Sequence, residues 1–151
     1  MEFQPAYANY QQKVQDSFDK QQFMKHINAK LLNVQPGYCE IEIPYAPELS
    51  QQHGYFHAGI IGTIADNAAG YAAFSLMEES SSIVTVEFKL NVMSPGDGDV
   101  LIGKGHVLKK GRTLTICRAD VYIVKNGTEK LCAASQATLI ELRDQENSAV
   151  T

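Results

Sequence analysis

The chain has 151 residues, with 13 Lys and Arg against 17 Asp and Glu, for a formal charge of −4 and an isoelectric point near 5.5. With 44% hydrophobic and 20% charged residues, it is long enough for one globular domain and too short for two. This mild acidity argues against a nucleic-acid binder, which carries a basic stripe and a high isoelectric point.

The only locally basic cluster is Lys104, Lys109, Lys110 and Arg112. Cys39, Cys117 and Cys132 are odd in number and form no CxxC pair, so neither a disulfide framework nor a zinc knuckle is expected. The N-terminus has no basic start followed by an apolar core, which leaves the cytoplasm as the expected location. From Gly54 to Met77 the only formal charge is Asp66. A charge mid-span costs roughly 2.5–3.5 kcal/mol in a bilayer, which Ala and Gly cannot offset. The stretch is expected to be a helix buried in protein, with no membrane involved.

The first thirty residues are polar and Gln-rich, with Val14, Phe18, Phe23, Ile27 and Leu31 spaced near four. That spacing predicts one or two amphipathic helices, an extension lying on a larger body. Pro36-Gly37 marks a turn, and Tyr38 to Ile43 alternates like a half-buried strand. A loop rich in Gln, His and Gly follows, then a helix from about Ala58 to Met77, ended by Ser80-Ser81-Ser82. The period then changes to two. Val84, Val86, Phe88, Leu90 and Val92 alternate with Thr85, Glu87, Lys89 and Asn91, predicting a strand with one apolar face.

Ser94 to Gly98 is a turn cluster. Val100 to Leu108 reads as a strand whose Gly103 and Gly105 suggest a bulge, curvature or close backbone approach. Thr113 to Val124 and Leu131 to Ile140 are two more strands, joined by the hairpin signal Asn126-Gly127. The expected architecture is α+β: a curved antiparallel sheet, its last four strands in a meander, wrapped around a helix too apolar to be covered on one side only. That geometry is the hotdog. One domain spans 1–151, with a core at about 31–142, a helical extension over 1–30 and a frayed tail over 143–151.

The chemistry-bearing segment runs from Gln51-Gln52-His53-Gly54-Tyr55-Phe56-His57 into Ala58-Gly59 and on to Asp66. The helix start at Ala58 and Gly59 offers unpaired N–H groups and a positive dipole end, suited to a developing oxyanion. Asp66 is flanked at helical spacing by Gly59, Gly62, Thr63, Ala69, Gly70 and Ala73. These are all small, which leaves room for a ligand. The bland alternative is a buried acid bonded to Thr63 or to a neighbouring strand, since structural networks also hold buried acids. His53, His57 and Asp66 lack the one-face spacing and the fourth ligand of a zinc site, so no metal or other cofactor is expected. His57 is expected under the helix start, hydrogen-bonded to backbone. No GxSxG motif supports a Ser nucleophile.

His-Gly-x-x-His-Ala-Gly followed by Asp66 resembles the signature of hotdog acyl-CoA thioesterases of the phenylacetate-degradation type, within the 4-hydroxybenzoyl-CoA thioesterase superfamily. Val84 to Leu90, Met93-Ser94-Pro95-Gly96 and Lys110 to Leu114 extend the resemblance, which covers about Leu49 to Ile140. The resemblance implies an enzyme hydrolysing aromatic or medium-chain acyl-CoA, with Asp66 as general base or nucleophile. It implies an oxyanion hole at Ala58 and Gly59, where the family usually has Gly at the first position. Gln51 falls where many members have an orienting Asn, and Thr85 on a water-positioning hydroxyl. It places CoA contacts near Lys89, Leu90 and the Lys110-Gly111-Arg112 turn. His53, Tyr55, Phe56 and His57 are candidate substrate-binding residues, and Tyr55, Phe56, Ile60, Tyr71 and Phe74 candidates for the acyl pocket. Such domains pair edge to edge as homodimers and dimers of dimers, which implies a site shared between chains. The rival reading is a non-catalytic acyl-CoA-binding or sensing module on the same fold. A dehydratase is weaker, since it would want a catalytic His in a different loop order.

Overall fold

The computed structural model describes residues 2–143. The expected tail therefore lies, from residue 144 on, outside the described residues. The chain opens with α1 (Tyr10–Lys20) and α2 (Gln22–His26), then forms β1 (Lys30–Gln35) and β2 (Tyr38–Pro44). A 3-10 turn at Pro47–Leu49 leads through a loop into α3 (Ala58–Phe74), followed by β3 (Ser82–Val92), β4 (Val100–Lys110), β5 (Leu114–Lys125) and β6 (Thr128–Leu142). All six strands lie in one antiparallel sheet, in the order β1-β2-β4-β5-β6-β3, curved around α3. This is the hotdog fold, in the α+β class expected.

Two expectations are corrected. Leu31 belongs to β1 rather than to a helix. The β1–β2 pair turns at Pro36-Gly37, and Val34 is its one buried β1 residue. The last four strands are not a simple meander: β4, β5 and β6 follow one another, but β3 crosses to the far edge and pairs with β6. The edge of β4 that β3 would have taken is occupied by β2 over seven residue pairs.

The sheet is held to the helix by a close backbone approach. Ala65, Ala68, Ala69 and Ala72 are fully buried on α3, and small side chains let its backbone come down onto β4. A Cβ added at Gly105 would lie 2.1 Å from the Ala68 carbonyl oxygen, and one at Gly103 would lie 2.8 Å from Ile64 Cγ1. Of the meanings open to these glycines in the sequence, close approach is the one realised. The Asn126-Gly127 turn is also as expected, with φ of +50° and +76° at the two residues.

β3 is bulged between Thr85 and Glu87. A single extra residue in a strand exchanges its two faces. Thr85 pairs with buried Leu139, and beyond the bulge Phe88 and Leu90 turn to α3, their rings and methyls 3.7 Å from the space a Gly62 side chain would fill. Val84 and Val86 are left 50% and 54% exposed. The single apolar face expected from Val84 to Val92 is thus split, and Thr85 moves to the helix side.

The Gly105 contact yields a direct prediction. Gly105→Ala should lower unfolding free energy by about 3 kcal/mol or more in urea titration, because backbone rather than a flexible side chain must give way. A loss below about 0.5 kcal/mol, typical of a surface change, would show that α3 does not rest there.

Candidate active site

Asp66 sits in the middle of α3, half-buried, on the face that looks toward β3. Thr85 Oγ1 donates to Asp66 Oδ1 at 2.8 Å. The bulge makes this bond possible, since an unbulged strand would turn Thr85 outward with Glu87 and Lys89. Burial pushes the Asp66 pKa above the usual carboxylate range, and the Thr85 hydrogen bond opposes the rise by favouring the charged form. Among the described residues none donates to the second carboxylate oxygen, which leaves it available to a water or substrate. Thr63, the other partner considered, donates to the Gly59 carbonyl instead, at 2.9 Å.

The carboxylate opens into a pocket of about 310 Å³, whose walls include Asn67, Gly70, Tyr71 and Leu139. Two further lining residues come from the N-terminal segment, Ser17 from α1 and Gln21 from the junction between α1 and α2. Sequence reasoning missed Ser17, Gln21 and Asn67. The available signal was that Ser17 and Gln21 flank Phe18 at i and i+4, beside the apolar stripe that docks α1.

The loop before α3 is a tight, self-bonded turn. Ser50 bridges Phe56, Gln51 N–H donates to the Tyr55 carbonyl at 2.9 Å, and His57 N–H donates to the Leu49 carbonyl at 2.8 Å. The Gln51 side-chain oxygen accepts from His53 N–H. Phe56 is buried in the core, edge-on to Tyr45 at 5.3 Å between ring centroids, so it supports the loop and does not line the Asp66 pocket. Phe74 is likewise buried, under the Lys13 ammonium. Tyr55 lines a separate groove with Lys125 and Lys130. Of the aromatic residues expected at the acyl pocket, Tyr71 lines the Asp66 cavity.

His57 is the N-cap of α3, and its Nδ1 accepts from Gly59 N–H at 2.9 Å. This backbone bond at the helix start corrects the expectation for Gly59, whose N–H is already spent. The Ala58 N–H has no acceptor among the described residues and is exposed at the dipole's positive end. Asp66 is the eighth residue after Ala58, about 12 Å along the helix axis. Within one chain the free N–H and the carboxylate therefore do not meet on one carbonyl group.

The residues linked to CoA lie elsewhere. Lys89 and Leu90 point to opposite faces of β3, Lys89 bonding Asn91 Oδ1 at 2.7 Å and Leu90 facing α3. Lys110 Nζ donates to the Leu76 carbonyl at 2.6 Å, just past the end of α3, beside the Gly111 and Arg112 turn. Among the described residues no cluster of three His, Cys, Asp or Glu could hold a metal ion, and no helix is long and apolar enough to cross a membrane.

Residues 53–130 match the family model described as the thioesterase superfamily. The chain belongs to the thioesterase superfamily. A Saccharolobus solfataricus relative is 32% identical over 108 residues, covering 71% of this chain and 76% of its own. Acyl-coenzyme A thioesterase 13 of Homo sapiens is 29% identical over 109 residues, covering 72% and 76%. A solved thioesterase family protein from Silicibacter pomeroyi superposes with a TM-score of 0.87 at 46% identity, covering 89% of this chain and 98% of that one. The E. coli PaaI protein of the phenylacetic acid degradation operon, at 16% identity and a TM-score of 0.78 over 88% and 93% of the chains, shares the fold. In this thioesterase superfamily member the matched segment holds Asp66, Thr85 and the start of α3, while Ser17 and Gln21 fall before it.

The Thr85–Asp66 bond can be tested by titration. Thr85→Val, which keeps the shape and deletes the donor, should raise the Asp66 pKa, read from the carboxyl carbon by NMR. An unchanged or lower value would mean that the hydroxyl does not stabilise the ionised carboxylate.

Proposed function

We propose that this thioester hydrolase cleaves acyl-CoA, with a compact aromatic or medium-length acyl group, at a site completed by two copies of the chain. The observation that carries this reading is the pairing of features on α3. A half-buried carboxylate with one free oxygen lies mid-helix, an unpaired Ala58 N–H lies at its start, and the two are too far apart to share a carbonyl in one chain. The outer edge of β3 supports the same reading. It is eleven residues long and pairs with no other strand among those described. The other sheet edge, β1, is six residues long and is shielded by Gln11 of α1, which donates to the Val34 carbonyl at 3.0 Å. An open, long edge is the natural place for an isologous contact.

In the proposed reaction, Asp66 of one protomer takes a proton from water as the water oxygen bonds to the thioester carbon. The carbonyl oxygen becomes an oxyanion held by the Ala58 N–H of the second protomer. Collapse breaks the C–S bond and releases CoA thiolate, which is stable enough to leave without a strong acid. The proton held by Asp66 returns to solvent or to the thiolate. Direct attack by the carboxylate, through an anhydride that water then opens, uses the same groups. Either route needs Asp66 ionised, so the rate falls as pH drops through its raised pKa.

Two variants test the assignment. Asp66→Asn should lower kcat for thiol release by roughly 10²–10⁴-fold. Ala58→Pro deletes the N–H and puts the ring Cδ in its place without breaking the helix, because proline suits the first helical position and His57, at φ −63° and ψ 141°, already has the conformation that precedes proline. It should cost roughly 10²–10³-fold in kcat with the fold intact by circular dichroism. Wild-type rates in both would overturn the reading, and tight acyl-CoA binding without turnover by the wild type would favour a binding module instead.

A further inference from the structure

The Asp66 pocket is closed by residues that come from outside the hotdog core. Gln21 stands at the junction of α1 and α2, in an extended conformation that ends one helix and begins the next. Its Nε2 donates to the Tyr71 hydroxyl at 2.6 Å and to Asn67 Oδ1 at 2.9 Å, and Ser17 Oγ lies 3.3 Å from the same hydroxyl. Both amide hydrogens of Gln21 are thus tied to α3, at the residues one and five places beyond Asp66, and the side chain is fixed as a wall rather than left to swing in solvent. This wall is polar. A saturated acyl chain long enough to reach it would meet an amide and two hydroxyls with which it can form no hydrogen bond.

Gly70, one turn beyond Asp66 on α3, lines the same pocket as Gln21. A Cβ there would meet nothing within 4 Å, although Gly in a helix interior is less stable than Ala. The helix keeps a destabilising residue where the space beside it belongs to the cavity.

Resting on the hydrolase reading, we propose that the N-terminal helical segment sets the length limit for the acyl group, with Gln21 as the stop and Gly70 as the floor of the channel that leads to it. Gln21 is a specificity-determining residue here and takes no part in bond breaking. The two positions make opposite predictions. Gln21→Ala removes the stop and should move the optimum of kcat/KM toward longer chains by about two carbons, and Gly70→Ala raises the floor and should move it toward shorter ones. For the longest substrate that the wild type accepts, the two variants should differ by roughly 10-fold or more.

The experiment measures thiol release from straight-chain acyl-CoA substrates from butyryl to dodecanoyl, with a thermal melt of each variant. Gly70→Ala should melt no lower than wild type, so its result stands even if Gln21→Ala loosens α1. Opposite shifts support the length stop. Profiles that keep their optimum, or that fall by the same factor at every length, would overturn it, since a purely structural role scales all substrates together. If the wild type hydrolyses neither these nor an aromatic acyl-CoA such as benzoyl-CoA, the hydrolase reading fails by itself. The stop is then judged by the affinities of non-hydrolysable acyl-CoA thioethers of the same lengths, with the same opposite shifts expected and unshifted affinities overturning it.

Discussion

The structure depends on one contact, the seating of α3 directly on the backbone of β4. Gly105 and Gly103 bring no side chain between helix and strand, and the alanines on α3 add little thickness of their own. A helix seated this deep is enclosed by the curving sheet, which is why it is apolar almost all round. The same depth presents its remaining flank to β3 at the sheet edge. Asp66 lies on that flank, and the bulge in β3 turns Thr85 to meet it. The position of the acid and its burial therefore trace back to two missing side chains on β4, and its hydrogen bond to the bulge in β3. A carboxylate at this depth is costly to ionise, a condition common among catalytic groups.

α3 also carries a division of labour. Its N-terminus is organised by His57, which satisfies Gly59 and leaves the Ala58 N–H facing outward. Its middle carries the acid, about 12 Å away. On the function proposed, each chain is two half-sites, a donor at the start of α3 and a base in its middle, and two chains placed edge to edge complete each other. So short a chain need not enclose a whole acyl-CoA by itself. The N-terminal helices add a wall that the hotdog core does not contain.

Much of this was legible in the sequence. The apolar run broken by one acid, the alternation of Tyr38 to Ile43 and Asn126-Gly127 each have a narrow physical meaning, and each was realised; the paired glycines of β4 left three meanings open, of which close approach is seen. The misreadings share one cause, that local pattern does not report where neighbours lie. Leu31 falls at helical spacing from Ile27 but pairs with Ile41 in a hairpin. Thr85 alternates with the apolar residues around it, yet an extra residue in the strand reverses its face. Gly59 looked like a free donor because a helix start leaves its N–H groups unpaired, until His57 folded back onto it. Ser17 and Gln21 carry no pattern of their own in the polar N-terminal stretch, and only the docking of that stretch on α3 shows that they face a cavity.

The central claim is that the acid and the oxyanion donor of one site come from different chains. Its most direct test is a hybrid. Asp66→Asn and Ala58→Pro chains, each inactive alone, are co-expressed with different tags, and the species carrying both tags is isolated. A hybrid dimer built this way has one site with both defects and one with neither, so thiol release should recover to about half the wild-type rate per dimer. A hybrid as inactive as its parents would contradict the account, because it would mean that both groups act within a single chain.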